Sequence, residues 1–262
     1  MMKIWNPTSI SPLILLVTAL ARSFGQAPPA GMAALPNGVY RPFVRTETDP
    51  EQVRVKAFLI DLLPVTNGDF LEFLRANPHW QRSQVKPPLA DESYLRDWSG
   101  DLALDSNSPP NAPVTYVSLP AAKAYAEWKG KRLPTTAEWE YAASASQMRP
   151  DGANDPEFKR QVAQWYSTPA AVTLPSVGSG PANFWGVHDL HGLVWEWVAD
   201  FNSAMAANSP GSRTGREAFC GVGSQGARDL GDYPAFMRYG FRSSLKPAYC
   251  VHNLGFRCAK DL

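Results

Sequence analysis

Cysteine is scarce in this chain: only Cys220, Cys250 and Cys258 occur in 262 residues, too few for a disulfide-built miniprotein, and all lie in the last fifth. Neither sign of charge is in excess, with 25 Lys plus Arg against 24 Asp plus Glu. The basic residues are scattered, so no stretch offers the electrostatic footprint of a nucleic-acid binder. No apolar run reaches the length of about 20 residues needed to cross a bilayer, so no stable membrane anchor is expected. Internal repeats are absent too, which excludes solenoids and propellers.

Present instead are 24 Pro, 19 Gly and 9 Trp, within a chain that is 44% hydrophobic. Pro and Gly interrupt helices and strands, while Trp fills a core built from few regular elements. The composition therefore predicts a folded domain rich in ordered loops.

At the N-terminus, Lys3 without a nearby acid precedes an apolar run over residues 13–21. That pattern predicts a signal peptide over residues 1–27, cleaved near residue 21 or 27, and a periplasmic or secreted protein. Residues 28–37, rich in Pro, Ala and Gly, read as a linker, with the domain proper over 38–262. Export to an oxidising compartment predicts one disulfide among the three cysteines, with the pairing left open.

Within the domain, residues 54–62 read as one strand. A helix should follow, capped by Thr66 or Asn67, with Phe70, Phe73 and Leu74 on its apolar face and Pro78 as its end. Residues 81–113 lack periodicity and read as surface loop. A second helix is expected between Ser118 and Gly130, and a third opens at the capping box formed by Thr135 and Glu138. A short helix is expected around 158–165, and beyond it short strands, among them 194–201 and 254–259.

Four blocks stand in order: FLIDLLPVTNGDFLEFL (58–74), KGKRLPTTAEWEYAA (129–143), NFWGVHDLHGLVWEWVADF (183–201) and NLGFRCA (253–259). Together they resemble the formylglycine-generating enzyme (sulfatase-modifying factor) family, from about residue 35 to the C-terminus. The resemblance implies an α+β single domain related to C-type lectin-like domains, with short strands, few helices and long ordered loops. Read without the family, Trp195 and Trp197 share one face of an extended segment and enter the core, with Glu196 on the other. Glu196 then needs a buried partner, for which Arg132, Glu138 and Glu140 are the candidates in an architectural polar network.

In the copper-dependent oxidases of this family, two late cysteines bind copper(I). Counting back from NLGFRCA places Asp229 and Pro234 near those positions, and Arg242 where the family has an arginine. Neither Pro nor a lone Asp replaces a soft thiolate, which argues against copper bound in the family's cysteine-pair mode. Cys250 and Cys220 are the thiols that a loop can carry into the pocket instead. Relatives pair the equivalent of Cys258 with a cysteine of the second helix; Ala126 occupies that place here.

The resemblance also implies a structural calcium site near the third block, where Asn183, Asp189 and main-chain carbonyls contribute and Leu193 stands for the Asn of many relatives. His188 and His191, three apart, are either metal ligands or satisfied loop histidines. Ser224, Arg238, Arg242, Cys250, His252 and Asn253 flank the family's substrate pocket and suit a peptide or small polar ligand. The expected partner is such a peptide or small molecule, or a periplasmic redox protein to be matured. Two functional readings stand: an oxidoreductase with altered chemistry, or a catalytically inert lectin-like binding module.

Overall fold

A computed structural model describes residues 27–45, 50–169, 171–201 and 232–262. The expected signal peptide up to residue 26, together with Cys220, Ser224 and Asp229, lies outside the described residues. Among the described residues, no helix is long and apolar enough to cross a membrane.

The architecture is α+β, with short strands and a few helices joined by long loops. Its central sheet is antiparallel, in the order β1 (Met32–Leu35), β4 (Phe58–Asp61) and β7 (Ala259–Asp261). β4 lies in the middle, and all four of its residues are buried. Chain start and chain end are thus joined through one strand, with Leu35 opposite Phe58 and Ala259 opposite Ile60.

Two expectations need correction here. Residues 32–35, read as part of a linker, form β1, because Met32, Ala33 and Leu35 are buried and the backbone of β4 needs a partner on that edge. The expected single strand over 54–62 is two strands in separate sheets. β3 (Val53–Val55) pairs with β2 (Gly38–Tyr40), and the Ala57 N–H then leaves the ladder to donate to Asn37 Oδ1 at 2.8 Å.

The early helices follow the sequence closely. Thr66 caps α1 (Asn67–Ala76) in a capping box with Asp69, and Ser118 caps α2 (Leu119–Trp128). Thr135 and Glu138 form the expected box at the start of α3 (Thr136–Ala143), and Asp155 caps α4 (Pro156–Ser167). Phe70 and Phe73 of α1 meet Tyr125 of α2, with ring centroids 5.8 and 5.6 Å apart, and Phe256 closes over Phe70 and Tyr125. Each such aromatic pair adds about 0.5–1.5 kcal/mol beyond the area that it buries.

A fifth helix, α5 (Tyr233–Ser244), stands where short strands were expected. Asp232 caps it, and Pro234 is tolerated because the first turn has unpaired N–H groups anyway. Its inward positions include Arg238 and Arg242 beside Phe241, while the apolar Tyr233 and Phe236 are exposed, so the apolar spacing does not mark its buried face. In the C-terminal half the extended elements are shorter than expected: β5 is Trp195–Glu196, parallel to β6 (Leu254–Gly255).

Candidate functional site

The i, i+4 spacing of Arg238 and Arg242 puts both guanidinium groups on one face of α5, toward α3. There they meet Glu140. Arg238 Nε donates to its two carboxylate oxygens at 2.8 and 3.1 Å, and Arg242 Nη1 donates to Oε1 at 2.5 Å. Arg238 Nη1 also donates to the Tyr166 hydroxyl at 3.2 Å. Burial pushes the Glu140 carboxyl up, but the two positive charges and their hydrogen bonds outweigh it and hold the group at about 2.

This cluster forms one wall of a small pocket. Arg242 lies 4.9 Å from the Trp139 ring centroid, and Trp195 stacks on Phe241 with centroids 4.3 Å apart. Trp165, Tyr166, Leu190, Val194 and Glu196 complete the lining. Trp195 is therefore half-buried against the pocket, whereas Trp197 is fully buried and its Nε1–H donates to Val117 O at 2.9 Å.

Glu196 faces a different partner from those expected. Arg257 grips it through Nε and Nη2, each 2.8 Å from one carboxylate oxygen, and Trp139 Nε1 donates to Oε2 at 2.7 Å. Arg257 donates further to the carbonyls of Asp61 and His188, at 3.1 and 2.8 Å, tying β4 to the loop before β5. Arg132 instead binds Glu138 through two bonds of 2.7 Å and Asp261 at the surface. Arg257 was absent from the sequence candidates, although it lies inside the NLGFRCA block. Its signal was a lone buried-type carboxylate in WEW needing a cation elsewhere.

The thiols stand apart from this pocket and from each other. Cys250 and Cys258 are both free and buried, so the expected disulfide involves neither of them. The Cys250 N–H donates to Asp91, and its Sγ–H to Ala248 O. Cys258 pairs through its backbone with Asp61, whose carboxylate also takes Lys131. Burial pushes both thiols up, and the carboxylates of Asp91 and Asp61 push them further. Pro234, expected near one of the family's copper-binding positions, is the second residue of α5. These residues do not fit a copper–dithiolate site.

The histidine pair does not converge. His188 Nδ1 donates to Gly180 O at 2.8 Å, and His191 Nε2 donates to Ala143 O at 2.9 Å. His252 contacts Ala171 O and Asp97 on a separate surface, while Asn253 offers its carbonyl to the Trp195 N–H. Asn183 uses its amide oxygen on the N–H groups of Trp185 and Val187 and its NH2 on Ala142 O, leaving little for calcium. Among the described residues, no three His, Cys, Asp or Glu side chains form a metal-holding group.

Residues 18–262 match the sulfatase-modifying factor enzyme 1-like domain. The formylglycine-generating enzyme of Streptomyces coelicolor is 32% identical over 260 residues, covering 82% of each chain. The inactive C-alpha-formylglycine-generating enzyme 2 of Bos taurus is 28% identical over 297 residues, covering 96% of each. The solved structure of PvdO from Pseudomonas aeruginosa aligns with a TM-score of 0.48 and 22% identity, over 88% of this chain and 94% of that one. The chain belongs to the formylglycine-generating enzyme, or sulfatase-modifying factor, family.

Proposed function

We propose that this protein is an exported family member that binds a peptide or small polar substrate and serves oxidative modification or maturation of a periplasmic redox protein, without making formylglycine at a copper–thiolate pair. One observation carries the negative half: both described thiols are buried and are pushed toward their neutral form beside separate carboxylates, while Pro234, expected near a metal-cysteine position, lies in the first turn of α5. A thiol held in its neutral form is a poor ligand for copper(I). Supporting the binding half, Trp195, Tyr166 and Phe241 surround a pocket in which two guanidinium groups share the single carboxylate of Glu140. Such a wall favours a ligand recognised through aromatic packing and hydrogen bonds, with one unmatched positive charge on the wall.

The second reading, a catalytically inert binding module, draws on the same ion pairs, because Arg238 and Arg242 are held by Glu140. Turnover separates the two. The mature protein is supplied with copper(I), oxygen and a cysteine-containing peptide, and oxygen uptake, bound copper and peptide mass are followed. Neither stoichiometric copper nor formylglycine is expected; copper-dependent aldehyde formation that Cys250→Ser abolishes would overturn the proposal. Oxygen uptake without the aldehyde supports the modified oxidation, and ligand binding without uptake supports the module. N-terminal sequencing of the protein recovered from a periplasmic fraction tests export, with cleavage expected near residue 21 or 27.

A further inference from the structure

A second cavity, of about 160 Å³, lies between α4 and the loop leading to β5. It shares Trp165 and Leu190 with the pocket beside Glu140 but none of that pocket's charged groups. Asp189 is the one ionic side chain lining it; no Lys or Arg does so among the described residues.

The loop holds the Asp189 carboxylate in place. Its backbone sits in the left-handed region at φ 59°, which Asp tolerates better than most residues, and one carboxylate oxygen, Oδ2, accepts the Gly178 N–H. The other oxygen, Oδ1, has no hydrogen-bond donor among the described residues. Gly180 lies beside it without a side chain: a Cβ there would sit 3.3 Å from Oδ1. The His191 ring, which also lines the cavity, donates from Nε2 to Ala143 O.

The remaining walls include the rings of Phe158 and Trp165, one carboxylate's complement in π-electron density. An apolar cavity of about 150 Å³ accepts a benzene-sized molecule, so this one has room for a single ring or its aliphatic equivalent. We infer that the cavity binds a small primary amine with an apolar body, its ammonium on Asp189 Oδ1 and its body between Phe158 and Trp165. The carboxylate and the aromatic faces each favour a cation, and neither favours an anion.

Benzylamine, benzyl alcohol and benzoate are three probes of one shape and different charge. Titrated against the full mature protein, with Trp fluorescence and calorimetry as readouts, benzylamine should bind about tenfold or more tightly than benzyl alcohol, and benzoate should not bind. Asp189→Asn keeps an oxygen for the Gly178 N–H and a residue suited to positive φ, and it should abolish that preference while leaving benzyl alcohol unchanged. Gly180→Ala, which sets a methyl group against Oδ1 with no change of charge, should weaken benzylamine in a protein of unaltered melting temperature. N-acetyl-lysine methylamide separates the sources: binding as tight as benzylamine assigns the site to a peptide lysine, weaker binding to a free amine. Equal affinity for benzylamine and benzyl alcohol, or benzylamine binding that survives Asp189→Asn, overturns the inference.

Discussion

Glu196 and Arg257, 61 positions apart, form an ion pair with no solvent-exposed side-chain surface on either partner. Trp139 and three main-chain carbonyls complete its hydrogen bonding, which is the condition under which such a pair persists in a low-dielectric interior. Removing one partner leaves the other charged and unpaired. Glu196→Ala is therefore expected to cost about 3–5 kcal/mol in urea unfolding. Glu196→Gln paired with Arg257→Met should recover part of that loss, and a double variant no better than the worse single one would contradict the pairing.

Acid should unfold this protein in two overlapping steps. His191 is held below its ordinary value of 6.5, at about 4, so the folded form disfavours the charged ring. The stability this contributes is complete above 6.5 and declines as pH falls toward 4. Glu140 is depressed from 4.5 to about 2, so its contribution is complete above 4.5 and is lost as pH falls toward 2. Melting temperatures measured from pH 7 to pH 2 should fall across both windows. His191→Gln should flatten the upper one and leave the lower one in place.

The described thiols should be silent in the native protein. In a Cys220→Ser background, Ellman's reagent is expected to react with neither Cys250 nor Cys258 until denaturant is added, and then with both, because burial and a neighbouring carboxylate keep each thiol protonated. Rapid native reaction at Cys250 would instead point to a thiol able to serve the pocket.

Gly255 sits where β6 passes the segment before α2, and a Cβ there would lie 2.6 Å from the Val114 carbonyl oxygen. Backbone cannot swing aside as a flexible side chain can. Gly255→Ala should destabilise by about 1–3 kcal/mol, the usual cost of overpacking, and should disturb the β5–β6 pairing that carries Trp195. Gly100→Ala, whose Cβ would meet only the Ala103 methyl group at 3.6 Å, serves as the mild control.

Local signals account for what was legible. The capping residues Thr66, Ser118 and Thr135 act on backbone groups within their own turn, and the helices begin where those residues stand. The family blocks correctly implied the scaffold. The linker reading failed at Met32–Leu35 because the partners that make those residues a strand lie 23 to 29 positions downstream, from Phe58 opposite Leu35 to Asp61 opposite Met32. α5 went unread because its buried face carries guanidinium groups, whose compensation by Glu140 is 98 and 102 residues away.

By itself the sequence determined the family and the starts of the first three helices, since each is written in adjacent residues. Only the tertiary structure decided that Arg257 rather than Arg132 neutralises Glu196, that Arg238 and Arg242 turn inward to Glu140, and that His188 and His191 spend themselves on different carbonyls. Those outcomes depend on desolvation, and a buried charge or imidazole takes whichever partner the fold brings within about 3 Å, however distant it is along the chain.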